Sequence, residues 1–312
     1  MIIAESPLNP VKYLDFVPLA LLFPGIIMAP DDIAHRECPP VLVIGREPEA
    51  RGSYNMALDE VLFESVAGVG RHIWRLYLWN PAAVSIGRNQ KVRETVNLEF
   101  LKREEIDMVR RPTGGRAIWH RGDVCFTHCG ISPTEGESMS AFKDDYIRTA
   151  ETLIRFLAEF GIEAHISPGH ASSGVVRGDF KSPCFMSSGR YEITIGAKKI
   201  AGIAQYRSGG RFLIQGSIRL SRIDPKNEEL FFTRRGVDGA LFREFSDSVS
   251  SIEEELRQKI GWERLRDAFM SALSVSNGDV VREENPGSMF DLGSIARLER
   301  EKYAKSSWNE RF

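Results

Sequence analysis

The hydrophobic positions of this chain follow two rhythms. Alternation of period two, the mark of a strand with one buried face, dominates the middle; spacing of three and four, the mark of an amphipathic helix, brackets it and takes over from Pro225 onward. Met56, Ala57, Val61 and Leu62 predict a helix over Ser53 to Ser65, with Ser53 placed to cap its first N–H groups. His72 to Trp79 (HIWRLYLW) alternates as a strand, and Ala83 to Gly87 predicts a second. Asp107 to Arg110 predicts a short strand feeding a glycine turn, and Ala117 to Ser132 a long strand after it. Phe142, Tyr146, Ala150, Leu153, Leu157 and Phe160 recur at helical spacing over Ser138 to Phe160, which assigns them to the core, and Gly161 ends that helix. Further strands are predicted at Ile162 to Ser167, Tyr191 to Ile195, Lys199 to Tyr206 and Phe212 to Leu220. Gly196-Ala197 and Ser208 to Gly210 serve as hairpin turns. Pro168 to Pro183, rich in Gly, Ser and Pro, reads as a loop. Helical spacing returns at Lys226 to Phe231, Ser251 to Ile260, Trp262 to Leu273 and Leu292 to Lys305. Mainly antiparallel strands with flanking helices define an α+β class, and no βα alternation supports a doubly wound sheet.

Composition narrows the function classes. With 312 residues, 42% hydrophobic and 27% charged, the chain can bury a large core. A formal net charge of -2 argues against binding nucleic acid through bulk charge. Four cysteines, Cys38, Cys125, Cys129 and Cys184, are too few for a disulfide scaffold of this length and fit a reducing cytoplasm. The longest apolar run, residues 14–30, is short for a membrane span and is broken by Pro18 and Pro24. As a secretory signal it is weak, because only Lys12 precedes it. Residues 1–45 therefore read as a poorly specified extension. Residues 46–312 read as one catalytic domain, with 246–312 as its helical C-terminal part.

Three groups of residues carry chemistry. In RRPTGGRAIWH, Arg110 and Arg111 lead into Thr113-Gly114-Gly115, and a strand ending in His120 follows. A glycine turn lets a ligand approach the backbone, and arginines beside it offer forked donors to a carboxylate, a phosphate or a polarised carbonyl. The same residues also fit a tight hairpin with arginines on its rim. In DVCFTHCGIS, Cys125 and Cys129 share one strand face while His128 points to the other; this is the arrangement of buried core cysteines, so no metal is assigned. Finally, Cys184 follows Pro183 at a loop edge and Lys199 lies fifteen residues on, ahead of Gly202 and Ala204. A nearby cation favours a thiolate and can also bond an acyl carbonyl, and small residues let a ligand pass close to a strand. A buried apolar cysteine and an exposed Lys198-Lys199 pair are the plainer alternative.

Taken in order, NMALDE (Asn55 to Glu60), RLYLW and VSIGRNQ (Arg75 to Gln90), RRPTGGRAIWH, CF with YE (Cys184, Phe185, Tyr191, Glu192), KKIAGIAQ (Lys198 to Gln205), QGSI (Gln215 to Ile218) and KYAKSSW (Lys302 to Trp308) resemble the lipoate–protein ligase A / octanoyltransferase family, within the biotin/lipoate ligase-like superfamily. The resemblance implies a mixed, mainly antiparallel sheet with helices packed against it. It also implies transfer of an octanoyl or lipoyl group to a lysine of a lipoyl-carrier domain. Arg116, where ATP-dependent ligases keep a third glycine, together with Cys184 is similar to the LipM-type octanoyltransferases and the LipL-type amidotransferases.

The expected reaction moves octanoyl from acyl carrier protein through a Cys184 thioester to a glycine-cleavage H protein or a dehydrogenase E2 lipoyl domain. No cofactor is needed; ATP and Mg would enter only for a ligase. Lys199 would orient the acyl carbonyl and lower the thiol pKa. Thr113, Gly114 and Gly115 would supply backbone donors near the acyl head. Arg110, Arg111 and His120 would shape the pocket and dock the acidic carrier, and Gly202 and Ala204 would border the acyl group. Gln215 stands where the family usually has histidine, so a proton-transfer role there would pass elsewhere. Amidotransfer between two carriers, ATP-dependent ligation and non-catalytic acyl or carrier binding stay open as alternatives.

Overall fold

A computed structural model describes residues 41–43, 48–69, 72–132, 139–168, 191–222, 247–277 and 281–312. In chain order the first elements are β1 (Val41–Val43), β2 (Glu49–Ala50), α1 (Gly52–Val69), β3 (Ile73–Trp79), β4 (Ala83–Ile86), α2 (Val92–Thr95), α3 (Leu98–Arg103), β5 (Asp107–Arg110), β6 (Ile118–His120) and β7 (Asp123–Ile131). Then come α4 (Met139–Ala158), β8 (His165–Pro168), β9 (Tyr191–Ile195), β10 (Lys198–Ser208) and β11 (Arg211–Arg219). The C-terminal part holds α5 (Ile252–Leu256), α6 (Trp262–Asn277), β12 (Arg282–Glu284), α7 (Pro286–Met289), α8 (Leu292–Leu298), a π-helical turn (Glu299–Tyr303) and α9 (Ser306–Asn309).

The large sheet runs β12-β1-β3-β7-β11-β10-β9-β8, with β2 beside β3. Its β1 pairings are parallel, and β3-β7-β11-β10-β9-β8 is antiparallel throughout. A smaller sheet, β5-β4-β6, carries the end of the Arg-Arg strand. This is the mixed, mainly antiparallel α+β architecture that the pattern predicted.

Strand alternation gives the large sheet two unlike faces. On one, Trp74, Leu76, Val124, Phe126, Phe212, Ile214 and Ile218 pack with Leu153, Phe156 and Leu157 of α4 and Leu265, Phe269 and Leu273 of α6. The other face presents Arg75, Tyr77, Cys125, Thr127, Gln215 and Ser217, all buried. There Asp59 of α1 meets Arg75 and Gln215. The small sheet has its own core, in which Val84, Ile86 and Ala117 join Val92, Val96 and Leu101.

Several predicted boundaries move for physical reasons. The first helix starts at Gly52, so Ser53 is helical and not a cap; its hydroxyl donates to Glu299 Oε1 at 2.7 Å. The strand predicted over Ala117 to Ser132 is two strands in different sheets, split where Gly122 takes φ +71°. The Ile162 to Ser167 strand begins only at His165, because the Ile162 N–H still closes the preceding helix on Leu157 O. The helix predicted over Ser251 to Ile260 spans Ile252–Leu256: Ser251 caps it by accepting from Glu254 N, and Arg257 stops it in the left-handed region. Leu292 to Lys305 is not one regular helix but α8 followed by the π-helical turn. Phe142, assigned to the core, is 40% exposed, whereas Tyr146, Ala150, Leu153 and Leu157 are buried. The Pro168 to Pro183 loop and the Lys226 to Phe231 helix lie outside the described residues, apart from Pro168 in β8.

Candidate active site

Two motifs distant in sequence build one turn. Arg88 N donates to Thr113 O at 2.9 Å, and Arg111 N donates to Ile86 O at 2.9 Å. Gly115 has φ +88°. A Cβ on Gly87 would overlap the carbonyl oxygen of Gly115, so glycine at both positions lets the two loops touch through their backbones. Arg111 clamps the turn from inside: its guanidinium donates to Gly114 O and Arg116 O, both at 2.9 Å, and to Ser85 O and Oγ. Arg110 is fully buried. It donates to the carbonyls of Gly87, Arg88 and Gln90 on one side and of Trp308, Asn309 and Arg311 on the other. Burial, Arg311 and Arg111 lower its pKa to about 10, which leaves it charged at neutral pH.

Thr113 is tied to the large sheet. Its hydroxyl donates to Gln215 Oε1 at 2.7 Å, and Gln215 Nε2 donates to Asp59 Oδ2 at 2.6 Å. Asp59 also pairs with Arg75 at 2.7 Å and accepts from Tyr77 at 3.1 Å, and Arg75 donates to Asn55 Oδ1 at 2.5 Å. A primary amide accepts and donates at once, so Gln215 joins a hydroxyl to a carboxylate without titrating. The NMALDE helix thus holds the turn through Asp59, a role the sequence reading did not assign. Its signal was an acidic residue, Asp59, on the same helix stripe as apolar Met56 and Leu62.

Between the Arg111 side chain and the sheet lies a small cavity of ≈ 20 Å³. Gly202 and Ala204 of β10, Gly216 of β11, Met56, Tyr77, Trp79, Arg111, His120 and Cys125 border it. The structure therefore brings Arg111, His120, Gly202 and Ala204 to one space. Such a volume holds about one water, so an acyl chain would need side chains to move, and the unbranched Met56 is suited to that.

One cavity wall is a buried chain of polar groups. His120 stacks on Trp79 at 3.9 Å. Its Nδ1 lies 2.7 Å from Asp123 Oδ2, and its Nε2 lies 2.6 Å from Ser85 Oγ. Arg111 can only donate to Ser85 Oγ, so the serine hydroxyl points at Nε2 and the imidazole proton sits on Nδ1 against Asp123. Ser217 Oγ also donates to that carboxylate, at 2.6 Å. Burial lowers the His120 pKa, and Asp123 opposes this only in part. Burial raises the Asp123 pKa, but His120, Arg219 and Ser217 outweigh it, and the carboxyl ends below its ordinary range. Burial and Asp123 push the Cys125 thiol well up, so it stays protonated and is no nucleophile. Donor atoms of His120, Asp123 and Cys125 fall within 4.8 Å of one another, close enough to hold an ion, but here they hydrogen-bond among themselves. His128 faces the helices, away from Cys125, and stacks on Trp74.

The remaining predicted residues divide. Lys199 is buried and pairs with Glu192 of β9 at 3.0 Å. Its backbone is strapped on both sides, Lys199 N to Ser248 O and Ser250 N to Lys199 O. This removes the reading of Lys199 as part of an exposed hairpin pair. Cys184 lies outside the described residues. Docking of a carrier by Arg110 is overturned: it is buried and its donors are taken by main-chain carbonyls. Arg111, also buried, is a clamp for the turn and a cavity wall, not a docking arm.

Solved structures share this fold. A lipoate-protein ligase A bound with ATP superposes with a TM-score of 0.65 at 21% identity, covering 88% of this chain and 99% of that one. A bipartite lipoate protein ligase from Thermoplasma acidophilum, described with its E2 lipoyl domain, gives 0.64 at 21% identity, covering 87% and 96%. The fold is thus that of the lipoate-protein ligases. The family model described as the lipoyl protein ligase A/B catalytic domain matches residues 51–274, and the chain belongs to this family. Relatives include Octanoyltransferase LipM of Symbiobacterium thermophilum, 30% identical over 265 residues, 83% of this chain and 94% of that protein. Octanoyltransferase LipM of Lysinibacillus sphaericus is 28% identical over 267 residues, 82% and 94%. Among the described residues, no helix is long and apolar enough to cross a membrane.

Proposed function

We propose that this chain is an acyltransferase of lipoate biosynthesis. It moves an octanoyl group from acyl carrier protein to a lysine of a lipoyl domain, without a nucleotide and by way of a thioester on Cys184. The observation that carries the reading is the likeness to octanoyltransferases across most of both chains. It is supported by the cavity that Arg111 and His120 share with Gly202 and Ala204, three and five residues beyond Lys199 on β10.

In the first step the Cys184 thiolate attacks the octanoyl carbonyl carbon. The new C–S bond forms as the carrier's C–S bond breaks, and the released carrier thiolate takes up a proton. In the second, the neutral ε-amine of the target lysine attacks the enzyme thioester. The amide C–N bond forms, the Cys184 sulfur leaves, and the amine's proton is lost. Thioester exchange is nearly balanced and amide formation runs downhill, so two moderate steps replace a harder one. Lys199 orients the acyl carbonyl and favours the thiolate, with its ammonium steadied by Glu192. Amides of Thr113, Gly114 and Gly115 face the acyl head. The acceptor is a glycine-cleavage H protein or an E2 lipoyl domain. A free thiol nucleophile belongs in the reducing cytoplasm.

The test is intact mass spectrometry of the purified chain mixed with octanoyl acyl carrier protein and no ATP. One octanoyl adduct is expected, absent in Cys184→Ala, and discharged by apo H protein or apo lipoyl domain. No adduct and no transfer would overturn the reading. Discharge that requires octanoylated H protein as donor would turn it into amidotransfer, and transfer from free lipoate that requires ATP would make it ligation.

A further inference from the structure

The last fourteen residues, Glu299 to Phe312, lie past the region that matches the family model, yet they grip the loops of the candidate site. Lys302 Nζ donates to both carboxylate oxygens of Glu60 at 2.8 Å, and Tyr303 OH donates to Oε2 at 2.5 Å. The π-helical turn is the local device: it brings two consecutive residues onto one carboxylate of α1. Beyond it, Trp308 Nε1 donates to Arg110 O at 3.0 Å, and Arg110 N donates to Asn309 Oδ1 at 2.9 Å. The Arg110 side chain returns the grip on the carbonyls of Trp308, Asn309 and Arg311. Asn309 Nδ2 closes the segment on Tyr303 O at 2.8 Å.

Resting on the acyl-transfer reading above, we propose that this C-terminal segment positions the acyl-head turn, with Trp308 and Asn309 as positioning residues that act through Arg110. The path is continuous. The segment fixes the Arg110 guanidinium; the guanidinium gathers the carbonyls of Gly87, Arg88 and Gln90; Arg88 N then holds Thr113 O, and Gly87 lies against the Gly115 carbonyl. A planar guanidinium can serve carbonyls on two sides at once, which a lysine ammonium cannot reproduce. Without the segment, one half of the Arg110 donors and the Arg110 carbonyl would face water, and the turn would be left to the Arg111 clamp and the Gln215 bridge.

The test uses the full chain with Trp308→Phe, Asn309→Ala and, separately, Arg110→Lys. Trp308→Phe keeps an aromatic ring and deletes the indole donor, so it stays folded if Asn309→Ala does not. Amide hydrogen exchange is read on the free protein. Exchange at Arg88 and Arg111, whose amides donate to Thr113 O and Ile86 O, is expected to speed up about tenfold or more, as the loss of a buried hydrogen bond to a fixed loop would give, with α4 and α6 unchanged. The octanoylation rate of Cys184 at saturating donor is expected to fall about tenfold with little change in the donor's half-saturation concentration, because the turn is misplaced rather than lost. A lower melting temperature with unchanged exchange at the turn would overturn the proposal and leave the segment merely structural. If the wild-type chain takes up no octanoyl group, the acyl-transfer reading fails, and the exchange data still decide whether the segment controls the turn.

Discussion

Strand β7 carries two kinds of residue on opposite sides. Val124, Phe126 and His128 face α4 and α6; Asp123, Cys125 and Thr127 face α1 and the turn. The helix side is stabilised by apolar area, which is forgiving in detail and large in sum. The turn side holds buried charges, Asp59, Arg75, Arg110 and Asp123, that are tolerable only because each has named partners. The two buried histidines make the contrast concrete. His128 lies between His72 Nδ1 and Thr149 Oγ1, both at 2.8 Å, and burial holds it far below its ordinary pKa. His120 has an ionised carboxylate at 2.7 Å and borders the cavity. One face keeps the molecule folded; the other keeps a few atoms in place.

Substitutions on the two faces should therefore separate stability from transfer. The largest effect is expected for Phe156→Ala in the helix-side core, a loss of about 3–5 kcal/mol of stability. Turnover per folded molecule should be unchanged, read by denaturant unfolding beside the mass assay; a selective loss of turnover would break the distinction. Acid should act on the same side. Burial and Arg148 lower the His72 pKa to about 4, against about 6.5 in the unfolded chain. The unfolded state then binds protons that the folded state refuses. The stability is whole above pH 6.5 and is lost as pH falls toward 4, by at most about 3 kcal/mol for this group. His72→Asn should flatten melting temperature against pH in that window, and an unchanged slope would refute the assignment. Gln215→Leu, on the turn side, should cost about 1–3 kcal/mol by leaving Thr113 and Asp59 short of a partner. It should also slow Cys184 octanoylation more than tenfold; equal losses in stability and rate would blur the contrast. Phe142→Ser should move stability by less than about 0.5 kcal/mol, because its ring is exposed.

The strands, the hairpins and the main helices were legible in the sequence, because periodicity and turn residues act locally; His120, Gly202 and Ala204 stood out by residue type, but only the fold shows that they border one cavity. The jobs of the arginines were not. Nothing in RRPTGG tells whether a guanidinium reaches outward or folds back, since the carbonyls that receive Arg110 come from residues 87–90 and 308–311. The break between β6 and β7 had a local sign in His120-Arg121-Gly122-Asp123, a polar stretch around a glycine between two apolar segments. Gln215 looked like a lost titrating group; only the distances to Thr113 and Asp59 reveal it as a bridge.

The alternation along β7 also makes its length a functional constant. Insert one residue at its start and every side chain beyond changes compartment. Phe126 would turn into the cavity, while Thr127 would be driven among the aromatic rings of Trp74 and Phe269. A single-codon insertion or deletion there should thus be far more damaging than a substitution at the same place. The reading frame of this strand, as much as its composition, separates the oily half of the protein from its chemical half.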